Sequence, residues 1–139
     1  MPATKQEQHE KNVPDTPLGR LYREHIGLIL KKDIEGILDQ YTPDALLISS
    51  FSADRKAQYY RGRDQLREHF KGILGLQGLE VEIAFWGEAK NALMIVEAVK
   101  VTTAEGVAQM RFADSWALRD GKIAIHFAGM VQYPDGSIA

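Results

Sequence analysis

The sequence predicts an α+β domain in which helices come first and a meander of antiparallel strands follows. Three observations carry that expectation. Apolar residues recur at three- and four-residue spacing between Leu18 and Ile37 and again between Leu66 and Leu74. From Leu79 onward they alternate in steps of two through four segments separated by short-turn signals. No repeat and no second block of helices appears, so the helices should pack together on one face of the sheet.

Each element has a local reason. Thr16-Pro17 is a helix start, with Thr16 as cap and Pro17 at the first helical position, and the helix should run to about Lys31. Asp33 caps a second, short helix, Ile34 to Gln40, that turns Ile34, Ile37, Leu38 and Tyr41 inward. Thr42-Pro43-Asp44 is read as a turn and Ala45 to Phe51 as a strand. Ser52 to Gln58 is polar and read as a loop, followed by an extended piece at Tyr59-Tyr60 that Gly62 breaks. A third helix, about Arg63 to Leu74, buries Leu66, Phe70, Ile73 and Leu74 and stops at Gly75. The strands follow: Leu79 to Glu88, Ala92 to Thr103, Val107 to Leu118 and Lys122 to Gln132, reversing at Asn91, Glu105-Gly106 and Asp120-Gly121.

Composition narrows the function. With 139 residues the chain reads as one domain, able to bury about 70% of its unfolded surface. Basic residues number 17 and acidic residues 19, interleaved along the helices, which gives no electrostatic footprint for nucleic acid or an anionic membrane. The absence of cysteine excludes disulfides, thiolate nucleophiles and thiolate metal sites. The first fifteen residues are polar and mixed in charge, which reads as a disordered tail ahead of a domain spanning 16–139. Without a signal-peptide or membrane-length apolar segment, a cytoplasmic location is expected. No glycine-rich phosphate loop is present and no short metal-ligand spacing occurs, so neither an organic cofactor nor a metal is implied.

Three ionisable side chains interrupt apolar rows. Asp114 is the only charge in the row Met110, Phe112, Asp114, Trp116, Leu118. Glu97 is the intruder among Leu93, Ile95, Val99 and Val101, and His25 falls in the helical stripe of Leu18, Leu21, Tyr22, Leu28 and Ile29. A buried carboxylate costs several kcal/mol unless it is paired, hydrogen-bonded or neutralised, so the rows are expected to converge on a cavity with a polar floor. His25 and Asp114 are expected within hydrogen-bond reach as acid–base partners, with Glu97 as an auxiliary carboxylate. Trp86, Phe112, Trp116 and Met130 are candidate walls, with Tyr59 and Tyr60 at the mouth. His126 alternates with Ala124, Ala128 and Met130, opposite Ile123, Ile125 and Phe127, and the pattern leaves open which face looks inward. His69, on a charged helix, reads as exposed.

Three segments resemble the NTF2-like superfamily in its SnoaL-like and ketosteroid isomerase-like branch. Ile34 to Ala45 is similar to that branch's helix–turn–strand opening, Tyr60-Arg61-Gly62-Arg63-Asp64-Gln65-Leu66 to the entry of its third helix, and Phe112 to Ile123 to its last hairpin. Together they span about residues 17 to 132. The resemblance implies a cone, a strongly curved antiparallel or mixed sheet wrapped around three helices, with an apolar pocket in its mouth. It places Asp114 where ketosteroid isomerases hold a neutral carboxylic acid that donates to the substrate oxygen. His25 falls at their pocket tyrosine, and Ser49 at their general-base aspartate. A serine hydroxyl does not abstract a carbon-bound proton unaided, so ketosteroid isomerisation itself is not expected.

The expectation is a small-molecule pocket protein performing proton-transfer chemistry of isomerase, cyclase or dehydratase type on an apolar, oxygen-bearing molecule. The alternative is a non-catalytic ligand-binding or dimerisation module of the same fold. SnoaL-like proteins commonly pair through sheet faces. The face of Arg111, Ala113, Ser115 and Ala117 with Met94, Val96 and Ala98 is flat and half-apolar, so a homodimer is expected through it.

Overall fold

The computed structural model describes residues 10–51, 54, 56–133, 135 and 137. Among the described residues, three helices, α1 (Pro17–Lys31), α2 (Ile34–Asp39) and α3 (Gly62–Leu74), pack against a six-stranded sheet. Its strands are β1 (Tyr41–Ser50), β2 (Gln58–Arg61), β3 (Gln77–Ala89), β4 (Ala92–Thr103), β5 (Gly106–Arg119) and β6 (Lys122–Met130). They lie side by side in the order β2-β1-β6-β5-β4-β3, and the sheet does not close. It is mixed rather than wholly antiparallel: β1 and β6, the first and last long strands, pair in parallel. This is the open cone of the NTF2-like fold.

The helix signals act as their chemistry requires. Thr16 Oγ1 accepts from the Gly19 amide at 3.0 Å and Pro17 follows it, while Asp33 Oδ1 accepts from the Gly36 amide at 3.0 Å. Lys32 ends α1 in the left-handed region, φ 58°. Asp120-Gly121 takes positive φ at both positions, 52° and 79°, the geometry that a tight hairpin between twisted strands needs.

Two local expectations change. Thr42-Pro43-Asp44 is not a turn; β1 is extended from Tyr41 and bulges there. Its register on β6 passes from Tyr41↔Ile123 to Leu46↔Ile125, because Pro43 has no amide for the ladder and the extra residues loop out. The described part of the expected tail, 10–15, packs on the domain: Val13 is buried, its carbonyl accepts from Arg23 at 2.7 Å, and Arg20 pairs with Asp15 at 2.9 Å. Residues 1–9 and, within the loop read at Ser52 to Gln58, residues 52, 53 and 55 lie outside the described residues, while Gln58 already belongs to β2.

The core lies between the helices and the inner face of the sheet. Leu18, Tyr22, Ile26, Ile37, Leu38, Leu66 and Phe70 come from the helices, and Leu47, Val81, Ile83, Leu93, Ile95, Val99, Val101 and Ile123 from the strands. Burying an aliphatic side chain of this size is worth about 1.5–3 kcal/mol. The helices stop short of filling the cone, and the remaining space is the cavity.

Candidate active site

The cavity has a volume of about 400 Å³ and a predominantly apolar lining. Strand alternation delivers Glu97 from β4 and Asp114 from β5 to the same inner face, as the sequence pattern expects. In the antiparallel ladder Ile95 stands opposite Asp114 and Glu97 opposite Phe112, so the two carboxyls are diagonal neighbours. They share a hydrogen bond. Asp114 is buried, whereas Glu97 keeps part of its surface open to the cavity.

A bulge decides the neighbouring strand. The β5–β6 register shifts between Ala117 and Leu118, so the inward side of β6 changes from Ile123 to His126, Ala128 and Met130. Ile125 and Phe127 are turned out, 41% and 51% exposed. His126 thereby reaches Asp114: Nε2 lies 2.7 Å from Oδ1. On its other side, Nδ1 lies 2.8 Å from the Tyr41 hydroxyl. At the far end of the carboxyl pair, the Tyr22 hydroxyl donates to Glu97 Oε2 at 2.6 Å.

The protonation states follow from burial. Burial pushes Glu97 well above the usual carboxylate range, and the Asp114 charge and hydrogen bond push it further. Burial also raises Asp114, against the opposing hydrogen bond from Glu97. His126 is lowered to about 4, again by burial, and is neutral at pH 7. One proton assignment satisfies every partner. Tyr41 donates to His126 Nδ1, His126 Nε2–H donates to Asp114, the Glu97 acid donates to Asp114, and Tyr22 donates to Glu97. Donors therefore converge from both sides on Asp114, the one carboxylate, and Glu97 stands beside it as an un-ionised acid. The pair titrates as a unit.

His25 sits elsewhere. It lines the cavity, but its Nδ1 is 2.9 Å from Gln40 Oε1, and Gln40 in turn donates to the Leu21 carbonyl at 3.3 Å. The hydrogen-bonded histidine partner of Asp114 is His126, not His25. The His25 ring lies edge-on to Trp116 and Phe70, centroids 5.1 and 6.0 Å away, and burial lowers it to about 4. Ser49, Phe112, Trp116 and Met130 line the cavity, and Tyr60 lines it near the open end, where its ring meets His69 at 5.0 Å. Trp86 is not among the lining residues. The β3 bulge between Ile83 and Phe85 turns Phe85 out and sets Trp86 opposite Ile95, where its ring packs edge-on against Tyr22 at 5.6 Å and its Nε1–H donates to Glu88 at 3.2 Å.

Four participants were not singled out as site residues. Tyr22 and Tyr41 read as apolar positions, although a buried phenol needs a partner for its hydroxyl. Gln40 was read as the last residue of the second helix. His69, expected in solvent, lines the cavity and is lowered to about 4 by burial. Its spacing with Leu66, Phe70 and Ile73 on α3 was the signal. Among the described residues, no group of three or more His, Asp or Glu side chains is arranged to hold a metal ion. No helix among them is long and apolar enough to cross a membrane.

The sequence profile of the SnoaL-like domain matches residues 22–126, which contain Tyr22, Glu97, Asp114 and His126. The chain belongs to the SnoaL-like family. Solved structures agree on the fold. An NTF2-like protein of unknown function from Burkholderia pseudomallei shares 15% identity over 83% of this chain and 91% of that one, TM-score 0.69. TerC, co-crystallised with polyporic acid, shares 21% over 81% and 90%, TM-score 0.67. Rv0760c from Mycobacterium tuberculosis, in complex with estradiol-17beta-hemisuccinate, shares 12% over 82% and 93%, TM-score 0.67. Among curated protein sequences none matches this chain. A SnoaL-like domain is a small-molecule-binding scaffold, and here its cone ends in a hydrogen-bonded carboxyl pair.

Proposed function

We propose that this SnoaL-like protein performs general acid–base chemistry, a proton transfer of isomerase, cyclase or dehydratase type, on an apolar, oxygen-bearing small molecule held in the cone. The observation that carries the reading is the Glu97–Asp114 pair at the wall of an apolar cavity. Burial raises the proton affinity of both carboxyls, Glu97 well above the usual carboxylate range, which moves them toward the pKa range that suits acid–base work near neutrality. Asp114 is the base and Glu97 the acid. His126, held by Tyr41, is a positioning residue that fixes the Asp114 carboxylate. His25 passes from acid–base partner to neutral polar wall. The similar structures that hold polyporic acid and an estradiol hemisuccinate support a pocket for small organic molecules.

The test is hydrogen–deuterium exchange at the carbon next to the carbonyl of a small apolar ketone, 1-tetralone, in D2O. Catalysed exchange is expected with the native protein and loss of about a hundredfold or more with Asp114→Asn. Equal exchange in both proteins removes Asp114 as base.

A second reading has its own observation. Tyr22, Glu97, Asp114, His126 and Tyr41 form one hydrogen-bonded chain in that order, as a non-catalytic binding module would arrange them. Ligand binding with no exchange at all favours that reading. In either case we propose a homodimer through the outer sheet face. Phe85, Met94 and Phe127 are 54%, 59% and 51% exposed there, in cross-strand rows with Val96, Ala113 and Ser115.

A further inference from the structure

The buried histidines differ in which ring nitrogen carries the hydrogen, and Gln40 fixes the case of His25. Gln40 Nε2 donates to the Leu21 carbonyl at 3.3 Å, so its Oε1 is the atom that faces His25 Nδ1 at 2.9 Å. Turning the amide over would set Oε1 against the Leu21 carbonyl, two acceptors with no hydrogen between them. Nδ1 therefore carries the hydrogen and donates to Gln40. Burial keeps the ring neutral at pH 7, which leaves Nε2 bare, an acceptor and nothing else. His126 is the opposite tautomer, with its hydrogen on Nε2 toward Asp114 and its Nδ1 accepting from Tyr41.

His25 Nε2 has no hydrogen-bond partner among the described residues. It is not sealed off either. Among those residues the only buried side-chain nitrogen or oxygen that is both closed over and unpartnered is Trp116 Nε1. His25 is 5% exposed and lines the cavity, so the surface left to Nε2 opens there. An apolar molecule filling the cone strips solvent from this nitrogen and offers nothing in return, and a buried acceptor without a donor is costly. A carbonyl oxygen brings a second acceptor. A donor group pairs with the nitrogen and recovers the cost.

We propose that the cone selects apolar ligands bearing a hydroxyl group, alcohol or phenol, and that His25 Nε2 accepts the hydrogen bond from that hydroxyl and so orients the molecule beside the Glu97–Asp114 pair. The proposal rests on the reading of the cavity as the site of an oxygen-bearing small molecule, which makes the donor a hydroxyl. It turns His25 from a wall into the residue that sets specificity.

The experiment uses 15N-labelled protein and three probes of similar size: 2-naphthol, naphthalene and 1-tetralone, which bring a hydroxyl, no oxygen and a carbonyl. Long-range proton–nitrogen spectra read which nitrogen of each ring carries the hydrogen. His25→Phe, which keeps a ring but removes the acceptor, assigns the His25 signals. His25 is expected as the Nδ1–H tautomer and His126 as the Nε2–H tautomer, each a control for the other. With 2-naphthol bound, the His25 Nε2 signal should lie upfield of its position with naphthalene or 1-tetralone bound. The preference for 2-naphthol over naphthalene should fall about tenfold from the native protein to His25→Phe. If that variant does not fold, His25→Gln assigns the signals and the native spectra decide alone. An Nε2–H tautomer at His25 overturns the proposal. So does 2-naphthol that fails to bind or binds without the upfield displacement, the same displacement with 1-tetralone, or an unchanged preference in His25→Phe. The displacement without Asp114-dependent exchange of 1-tetralone supports this proposal and defeats the catalytic reading. Exchange without the displacement does the reverse, so the two fail separately.

Discussion

Acidification from pH 8 to pH 5 is expected to cost the native protein more stability than it costs His25→Gln, and the difference is calculable. His25 is buried between Trp116, Phe70 and Tyr41, and its pKa falls from 6.5 to about 4. Burial is the main cause and the nearby His126 the second; the hydrogen bond to Gln40 and the charge of Glu97 oppose them. The folded state therefore binds fewer protons than the unfolded chain between those two values. The contribution is fully present above 6.5, is lost as pH falls below it, and stops changing below about 4. Between pH 8 and pH 5 the loss amounts to about 2 kcal/mol for this one ring. Glu97 and Asp114 act with the opposite sign, since their raised proton affinity adds stability at low pH that is lost as pH rises through their folded pKa values. Comparing protein with variant cancels that background, and it also cancels the pH-independent cost of losing the ring contacts. Glutamine can still donate to Gln40 but does not titrate. Urea unfolding followed by tryptophan fluorescence should show the gap between the midpoints of the two proteins narrowing by about 1 M from pH 8 to pH 5. A gap constant to within about 0.5 kcal/mol would refute the claim that His25 is buried as a neutral ring.

Asp114→Leu removes the acceptor of His126 Nε2–H and the partner of Glu97, so it should destabilise by about 1–3 kcal/mol and lower the thermal midpoint by several degrees. A midpoint at or above the native one would mean that the carboxyl network contributes nothing to holding the fold. Light scattering at micromolar concentration should give a dimer for the native chain and a monomer for Phe85→Glu, because a charge on the outer face cannot be buried without a partner. A native monomer would remove the dimer, and a Phe85→Glu dimer would move its interface elsewhere.

The sequence by itself determined the elements and the inward set of the two long central strands. Helix starts are local chemistry, carried by Thr16, Pro17 and Asp33, and so is the hairpin turn at Asp120-Gly121. Alternation with period two is local as well, which is why Glu97 and Asp114 were legible as intruders on the inner face. Only the tertiary structure decided their partners. A bulge between Ala117 and Leu118 turned His126 inward and gave it to Asp114, and another in β3 turned Phe85 out and set Trp86 opposite Ile95. A single inserted residue reverses every side chain beyond it, and nothing in the alternation announces it. The parallel β1–β6 pairing joins Tyr41 to His126 across 85 residues, and Tyr22 meets Glu97 across 75. Contacts of that kind depend on how elements pack, which local pattern does not encode. His25 shows the same division: its place on an inward helical face was readable, but its proton affinity and its bond to Gln40 arose only when the helices closed over the sheet.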